Sequence, residues 1–139
     1  MHYREALPKD VDGITSIHVV GGQQAYADIL PAEYLEGVMP SEKSDLWRSR
    51  LSECIDRTKI SVTVAEEAND LAGFACFLFD EEQVFGTYLH NIYVDKRYQR
   101  RGVASGLLAA GIESFHTSWR EQLVHLLVFA KNAPARAFY

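Results

Sequence analysis

The sequence predicts an α+β domain in which antiparallel strands are accompanied by helices, on three observations. Ile60, Val62 and Val64 alternate with Ser61, Thr63 and Ala65, as in a strand with one side more buried than the other, and the turn residues Glu67-Ala-Asn-Asp70 send residues 71–79 back as an antiparallel partner. Ile92, Tyr93 and Val94 lie in a short apolar run of strand character, and Leu107, Leu108, Ile112 and Phe115 then recur at helical spacing. Before residue 58, helical periodicity dominates after one short extended segment.

Bulk properties narrow the class further. With 139 residues, 47% of them hydrophobic and 24% charged, the chain supplies one core and is read as one domain over residues 1–139. It has no apolar run of about eighteen residues, so no membrane partner is expected. The opening Met1-His-Tyr-Arg-Glu-Ala lacks a secretory apolar segment, which makes a cytoplasmic location the default. Cys54 and Cys76 sit in apolar surroundings without CxxC spacing or a histidine pair, so they read as buried thiols and no metal is expected. A formal charge of −5 argues against nucleic acid as a partner. Residues 96–101 are the local exception, and one short basic cluster suits a phosphate-bearing ligand. The acidic remainder favours a cationic acceptor such as an amine.

In chain order, residues 3–6 form the first strand. Asp10 is expected to cap a helix with Val11, Ile14, Ile17 and His18 on one stripe, and Gly21-Gly22 to break it. A second helical pattern from Gln23 carries Tyr26 and Ile29 and ends near Pro31, which itself suits a helix start. Pro40 and Ser41 open a third, with Leu46, Trp47, Leu51, Cys54 and Ile55 on its buried side. Residues 73–79 are nearly all apolar, which implies burial on both faces. Asp80-Glu-Glu82 then leads into the strand with His90 and Ile92. After Phe115, a polar break at residues 118–121 precedes a strand from Leu123 to Phe129, and Asn132 with Pro134 can start a last helix.

The most informative stretch is the junction around Lys96-Arg-Tyr-Gln-Arg-Arg-Gly102. A glycine there lets the backbone approach a ligand, and the first N–H groups of the following helix have no intrahelical partners. Added to the positive end of the helix dipole, they favour a phosphate, although a basic loop capping an ordinary helix has the same look. Within this junction, Gln99-Arg100-Arg101-Gly102-Val103-Ala104 resembles the pyrophosphate-binding loop of the GNAT family, the GCN5-related N-acetyltransferases: Gln or Arg, two residues, Gly, one residue, Gly or Ala. Its place after an Ile-Tyr-Val strand and before an amphipathic helix strengthens the match. The tail Asn132-Ala-Pro-Ala-Arg-Ala-Phe-Tyr139 resembles the family's second element, an Asn and small residues followed by Phe-Tyr.

The resemblance implies the three-layer acyl-CoA N-acyltransferase (GNAT) fold, with a mixed, mostly antiparallel central sheet flanked by helices, and an acetyl-CoA-dependent N-acetyltransferase that moves the acetyl group to a primary amine by direct attack. It assigns Gln99, Arg100, Arg101, Gly102, Val103, Ala104 and Ser105 to the diphosphate, Asn132 to the pantetheine arm, and the backbone of Ile92, Tyr93 and Val94 to the thioester carbonyl. Tyr139 becomes the general acid. Residues 24–35 resemble the variable segment that helps build the acceptor pocket, so Tyr26, Tyr34, Asp28 and Glu33 are candidates there, with Tyr88 on the strand. Many relatives carry a Glu two residues ahead of His90, where this chain has Tyr88. His90 has the intrinsic pKa of a base near neutral pH and shares strand parity with Tyr88, and a structural histidine is the competing account.

The family pattern usually continues past the position of Tyr139 into two more strands. Either the chain is shortened, or a homodimer partner is expected to cover the strand near Val124. A noncatalytic acyl-CoA-binding or sensing module is the alternative function. A P-loop protein is disfavoured because no Gly-Lys-Ser or Gly-Lys-Thr follows the loop.

Overall fold

In the computed structural model, which describes residues 1–52, 59–79, 87–113 and 124–126, the elements run β1 (His2–Glu5), α1 (Val11–Ala25), α2 (Met39–Arg50), β2 (Ile60–Glu67), β3 (Asp70–Phe79), β4 (Thr87–Val94), α3 (Val103–Glu113) and β5 (Val124–Leu126). The sheet order is β1-β2-β3-β4-β5. The first four strands pair antiparallel, and β5 pairs parallel to β4 through Thr87↔Val124, Tyr88↔His125 and Leu89↔Leu126. This is the mixed, mostly antiparallel sheet expected. Among the described residues, no helix is long and apolar enough to cross a membrane.

Strand β3 lies at the centre because its apolar run has no polar side to offer to water. Phe74 and Cys76 point into one core with Ile14, Ile17, Trp47, Val62 and Val64, under α1 and α2. Ala75, Phe77 and Phe79 point into the other with Ala65, Leu89, Val103 and Leu107, under α3. Strand β2 is also buried on both faces from Val62 to Ala65, more than its alternation implied, because helices cover both sides of it. The expected turn after Glu67 is a tight hairpin in which Ala68 (φ 52°) and Asn69 (φ 66°) both take left-handed backbone, the twist that suits adjoining strands.

Three local expectations differ from the structure. Asp10 is not a side-chain cap of α1: its carboxylate accepts from the backbone N–H of Leu7 (2.7 Å) and from both terminal nitrogens of Arg4 (2.8 and 2.9 Å). Gly21 and Gly22 do not break α1, which runs on to Ala25, so the segment from Gln23 is its last turn and a following turn at residues 26–29. These glycines serve close approach instead. A Cβ at Gly21 would collide with the Tyr93 ring, and one at Gly22 would press on Met39 Sδ at 3.3 Å. Residues 32–50 form one helical stretch rather than two, joined by a π turn at Tyr34–Val38. Pro40 cannot donate to a preceding carbonyl, and the wider turn lies just ahead of it, with Met39 N–H reaching the Tyr34 carbonyl.

Two polar groups anchor these layers. Arg4 also grips Glu66 through Nε and Nη2 (3.1 and 3.2 Å), so one guanidinium ties β1 to β2 and to the turn before α1. Burial alone would raise the Asp10 carboxyl, but Arg4 and the Leu7 N–H more than offset it and hold it below its ordinary value. On the other side of α1, His18 is 3% exposed, and its Nδ1 accepts from Trp47 Nε1 at 2.9 Å. Phe74 and Tyr93 pack on the same imidazole, at 5.8 and 4.8 Å between ring centroids. Burial, with Lys43, Arg50 and His90 adding positive charge, pushes His18 down to about 3.

Removing Arg4 strands the 5%-exposed Asp10, so Arg4→Ala is expected to cost about 3 kcal/mol or more in urea unfolding at pH 7. Because His18 takes up a proton near 6.5 when unfolded but only near 3 when folded, stability falls as pH drops below 6.5. Between pH 7 and pH 5 this single group contributes a loss of about 2 kcal/mol, and His18→Gln is expected to abolish that part of the slope when unfolding is measured at both values.

Candidate active site

Strand β4 and helix α3 are joined by a turn whose shape its own acid sets. The Asp95 N–H extends the ladder to the Ala72 carbonyl (2.7 Å), and its side chain accepts from the backbone N–H of Arg97 (3.0 Å), closing a single turn at Lys96–Tyr98. Hydrogen bonds from Arg97 hold the Asp95 carboxyl below its ordinary value. Gln99 Nε2 reaches back to the Val94 carbonyl at 3.1 Å. Arg100 (φ 65°) and Gly102 (φ 76°) then both adopt left-handed backbone, and α3 begins at Val103.

This path leaves donors facing a cavity. The Gly106 N–H bonds the Gly102 carbonyl at 3.0 Å as the first helical turn, so the N–H groups of Val103, Ala104 and Ser105 precede the intrahelical ladder. A cavity of about 230 Å³ is lined by these three residues with Gly102, Arg100, Gln99, Tyr98 and Val94. A Cβ built on Gly102 meets nothing within 4 Å and would project into open space, so glycine is required there by its backbone angle. Val103 is buried and roots the helix in the core, while Gln99, Arg100, Arg101, Gly102 and Ser105 are exposed.

The basic run is not uniformly available. Arg97 binds Asp95 and Asp70 (3.0 and 2.9 Å), and Arg101 binds Glu67 (3.2 Å). Both guanidinium groups lie over the Tyr98 ring at 5.4 and 5.3 Å, and Tyr98 Oη donates to Asp70 Oδ2 at 3.1 Å. Among the described residues Lys96 and Arg100 have no ion pair, so Arg100 is the cation on the cavity wall with charge to spare. A larger groove of about 380 Å³ runs along α1, but Arg4, Asp10, Glu66, Asp70, Asp95 and Arg97 on its wall satisfy one another. The smaller cavity is the one whose wall combines helix-start amides with a cation free of an ion pair.

Upstream on β4 the ladder to β3 slips. Cys76 pairs with Asn91 and Phe77 with Leu89, which leaves His90 as the extra residue of a bulge. Regular alternation with Tyr88 is lost there: Tyr88 pairs with Leu78, and Asn91 takes the next position on that face. The charges that His90 senses, Arg50 and Lys43, both belong to α2. Partial burial, reinforced by those two cations, holds its imidazole below the ordinary histidine value. Beyond the bulge, Ile92 and Val94 turn toward α3, and Tyr93 turns toward His18 and Phe74.

The acceptor-side candidates are separated from the loop by chain position. Tyr26 ends α1, and Tyr34 in the π turn donates to Glu42 Oε2 at 2.7 Å, which raises its hydroxyl above the ordinary value. Asp28 and Glu33 are exposed. Asn132 and Tyr139 lie outside the described residues, as does the side chain of Tyr88. Sequence reading passed over Arg50, whose Nη1 donates to Asn91 Oδ1 at 3.0 Å and approaches Cys76 Sγ at 3.7 Å. Its only sequence signal is position: seven residues after Lys43, with Trp47 between, it shares the sheet-facing side of α2. The Cys76 thiol itself is buried and pushed up to about 12, in keeping with an inert core residue.

Comparison with known proteins agrees with this arrangement. The model of the acetyltransferase (GNAT) family matches residues 24–139. The chain is 31% identical over 112 residues to the uncharacterized N-acetyltransferase YuaI of Bacillus subtilis (strain 168), covering 79% of this chain and spanning 61% of that protein's length. It is 31% identical over 144 residues to the L-amino acid N-acetyltransferase AaaT of Escherichia coli (strain K12), covering 98% of this chain and 77% of that protein. The crystal structure of PaiA N-acetyltransferase from Thermoplasma acidophilum in complex with coenzyme A superposes with a TM-score of 0.78 at 20% identity, over 99% of this chain and 85% of that one, a likeness of fold. With a family match across most of its length and the matching strand, loop and helix in place, this chain belongs to the GNAT family of acetyltransferases.

Proposed function

We propose that the chain is an N-acetyltransferase that takes the acetyl group from acetyl-CoA and delivers it to a primary amine by direct attack. One observation carries the reading: after left-handed backbone at Arg100 and Gly102, three residues whose amides precede the helical ladder and one arginine without an ion pair line the same cavity. Diphosphate is the group of coenzyme A that this donor set fits.

Bound acetyl-CoA supplies an activated acetyl group as a thioester. The amides of Val103, Ala104 and Ser105 hold the diphosphate, with Arg100 neutralising charge, Gln99 lining the cavity and Gly102 giving the backbone room. Arg101 and Arg97 brace the loop through Glu67, Asp70 and Asp95. Backbone N–H groups in Ile92, Tyr93 and Val94 polarise the thioester carbonyl. His90, kept neutral near pH 7 by its lowered pKa, accepts the ammonium proton directly or through water. Tyr139 protonates the departing thiolate, Asn132 holds the pantetheine arm, and Tyr26, Tyr34 and Tyr88 shape the acceptor pocket. Neither cysteine is needed as a nucleophile. The name of the relative AaaT makes L-amino acids a natural part of the acceptor panel.

Replacing Gly102 by Val forces a β-branched residue into φ 76°, so the loop must turn elsewhere. Calorimetry with coenzyme A is expected to show binding weakened about tenfold or more, while circular dichroism keeps the wild-type spectrum. An unchanged Kd would remove the loop from the cofactor site. In an amine panel read by thiol release, kcat/KM is expected to rise with pH through a limb below 6.5, since protonated His90 cannot accept a proton. His90→Ala is expected to lose that limb and about 10²-fold in kcat. Coenzyme A binding without thiol release from any amine would point instead to a noncatalytic module.

A further inference from the structure

Helix α2 presents Lys43 and Arg50 on either side of Trp47, which is 0% exposed and anchors that face to the sheet. Lys43 is half-buried, and Arg50 is bound to Asn91 at the β4 bulge and lies 5.1 Å from the Trp47 ring centroid. His90, the extra residue of that bulge, adjoins the Asn91 that Arg50 holds and feels the charge of the same two cations. Among the described residues neither Lys43 nor Arg50 has an ion pair with a carboxylate. Elsewhere among the described residues Arg4, Arg97 and Arg101 each hold acids, and Arg100 at the loop cavity is the other arginine without an ion pair. Lys43 loses hydration on this face, with the adjacent Glu42 offsetting part of that cost and Arg50 adding to it, so an arriving anion relieves both the desolvation and the repulsion between the two cations. Its location is also specific. Asn91, which Arg50 grips, precedes Ile92, the start of the stretch proposed to polarise the acetyl carbonyl.

We propose that Lys43 and Arg50 form an anion subsite that selects acceptors carrying a carboxylate close to the reacting amine, as α-amino acids do. The proposal rests on the acetyltransferase reading above and names its substrate class. The carboxylate would dock against α2 beside the bulge, with the amine one or two bonds away on the His90 side. Lys43 and Arg50 act here as specificity determinants and take no part in the proton transfers. The conformation of Arg50 is held by Asn91 and Trp47, so it gives directional donors, and Lys43 adds a point charge.

The test uses L-amino acids, their carboxamides and the corresponding decarboxylated amines as matched sets with acetyl-CoA, reading free thiol. Wild type is expected to favour the acids over the amides in kcat/KM by about tenfold or more. Lys43→Met is expected to bring the two classes to within about threefold by raising KM for the acids, leaving the decarboxylated amines unchanged or improved. Arg50→Lys is expected to retain part of the preference. Lys43 is on a helix surface outside the packed core, so a folded variant is expected, and its coenzyme A binding serves as the control. Equal turnover of acids and amides by wild type, or a preference that survives Lys43→Met intact, would overturn the subsite while the acetyltransferase reading stands. Thiol release from no amine at all, with coenzyme A still bound, would overturn both.

Discussion

Strand β3 admits no solvent on either face, and that one constraint sets the rest. Phe74 and Cys76 on one side and Ala75 and Phe77 on the other are each fully buried, so the strand must have neighbours along both edges and helices above and below. The two cores that result are small, and each needs its helix held at close range. On the α1 side that proximity comes from a missing side chain at Gly21, which lets the helix backbone rest against Tyr93. Tyr93 in turn packs on His18, and His18 receives the Trp47 indole N–H that seats α2. The chain of contacts runs from a central strand to an outer helix without a break.

The same strand determines where chemistry can occur. Because β4 pairs with β3 on both sides of a slip, the backbone is regular at Thr87–Leu89 and again at Asn91–Val94, and irregular at His90 alone. A bulge is where a sheet releases a side chain from its alternation. Here the released residue is His90, which is exposed and adjoins the Asn91 that Arg50 of α2 holds. Downstream, β4 ends at Val94 and the chain must reverse within a few residues to reach α3, which is why Asp95 caps its own turn and two residues take left-handed backbone.

Much of this was legible in the amino-acid string, and the boundary between what was and was not has physical causes. The β2–β3 hairpin and the strand, loop and helix around Gly102 are local: alternation, turn residues and a glycine before an apolar stripe declare themselves within ten residues or so. Gly21 and Gly22 were misleading because a glycine pair reads as a helix breaker, whereas here long-range packing against Tyr93 and Met39 outweighs its poor helical propensity. The bulge at His90 has no residue signature, since it is a property of the register between two strands. Arg50 and Lys43 drew no reading from the sequence, because a cation flanking a buried stripe looks the same whether it faces water or, as Arg50 does, reaches Asn91 on the sheet. Expectations placed on Asn132 and Tyr139 concern residues outside those described.

The hairpin tip at Ala68 and Asn69 has a reach beyond its own two strands. Its flanking acids, Glu67 and Asp70, are the same groups that clasp Arg101, Arg97 and Tyr98. The loop between β4 and α3 is thus tied to the β2–β3 hairpin by its own side chains. A loop held in this way surrenders little freedom on association, so its amides are aimed in advance and affinity is not spent on ordering them. On the proposed function, a turn thirty-odd residues earlier in the chain thereby helps set how tightly the loop would hold an anion.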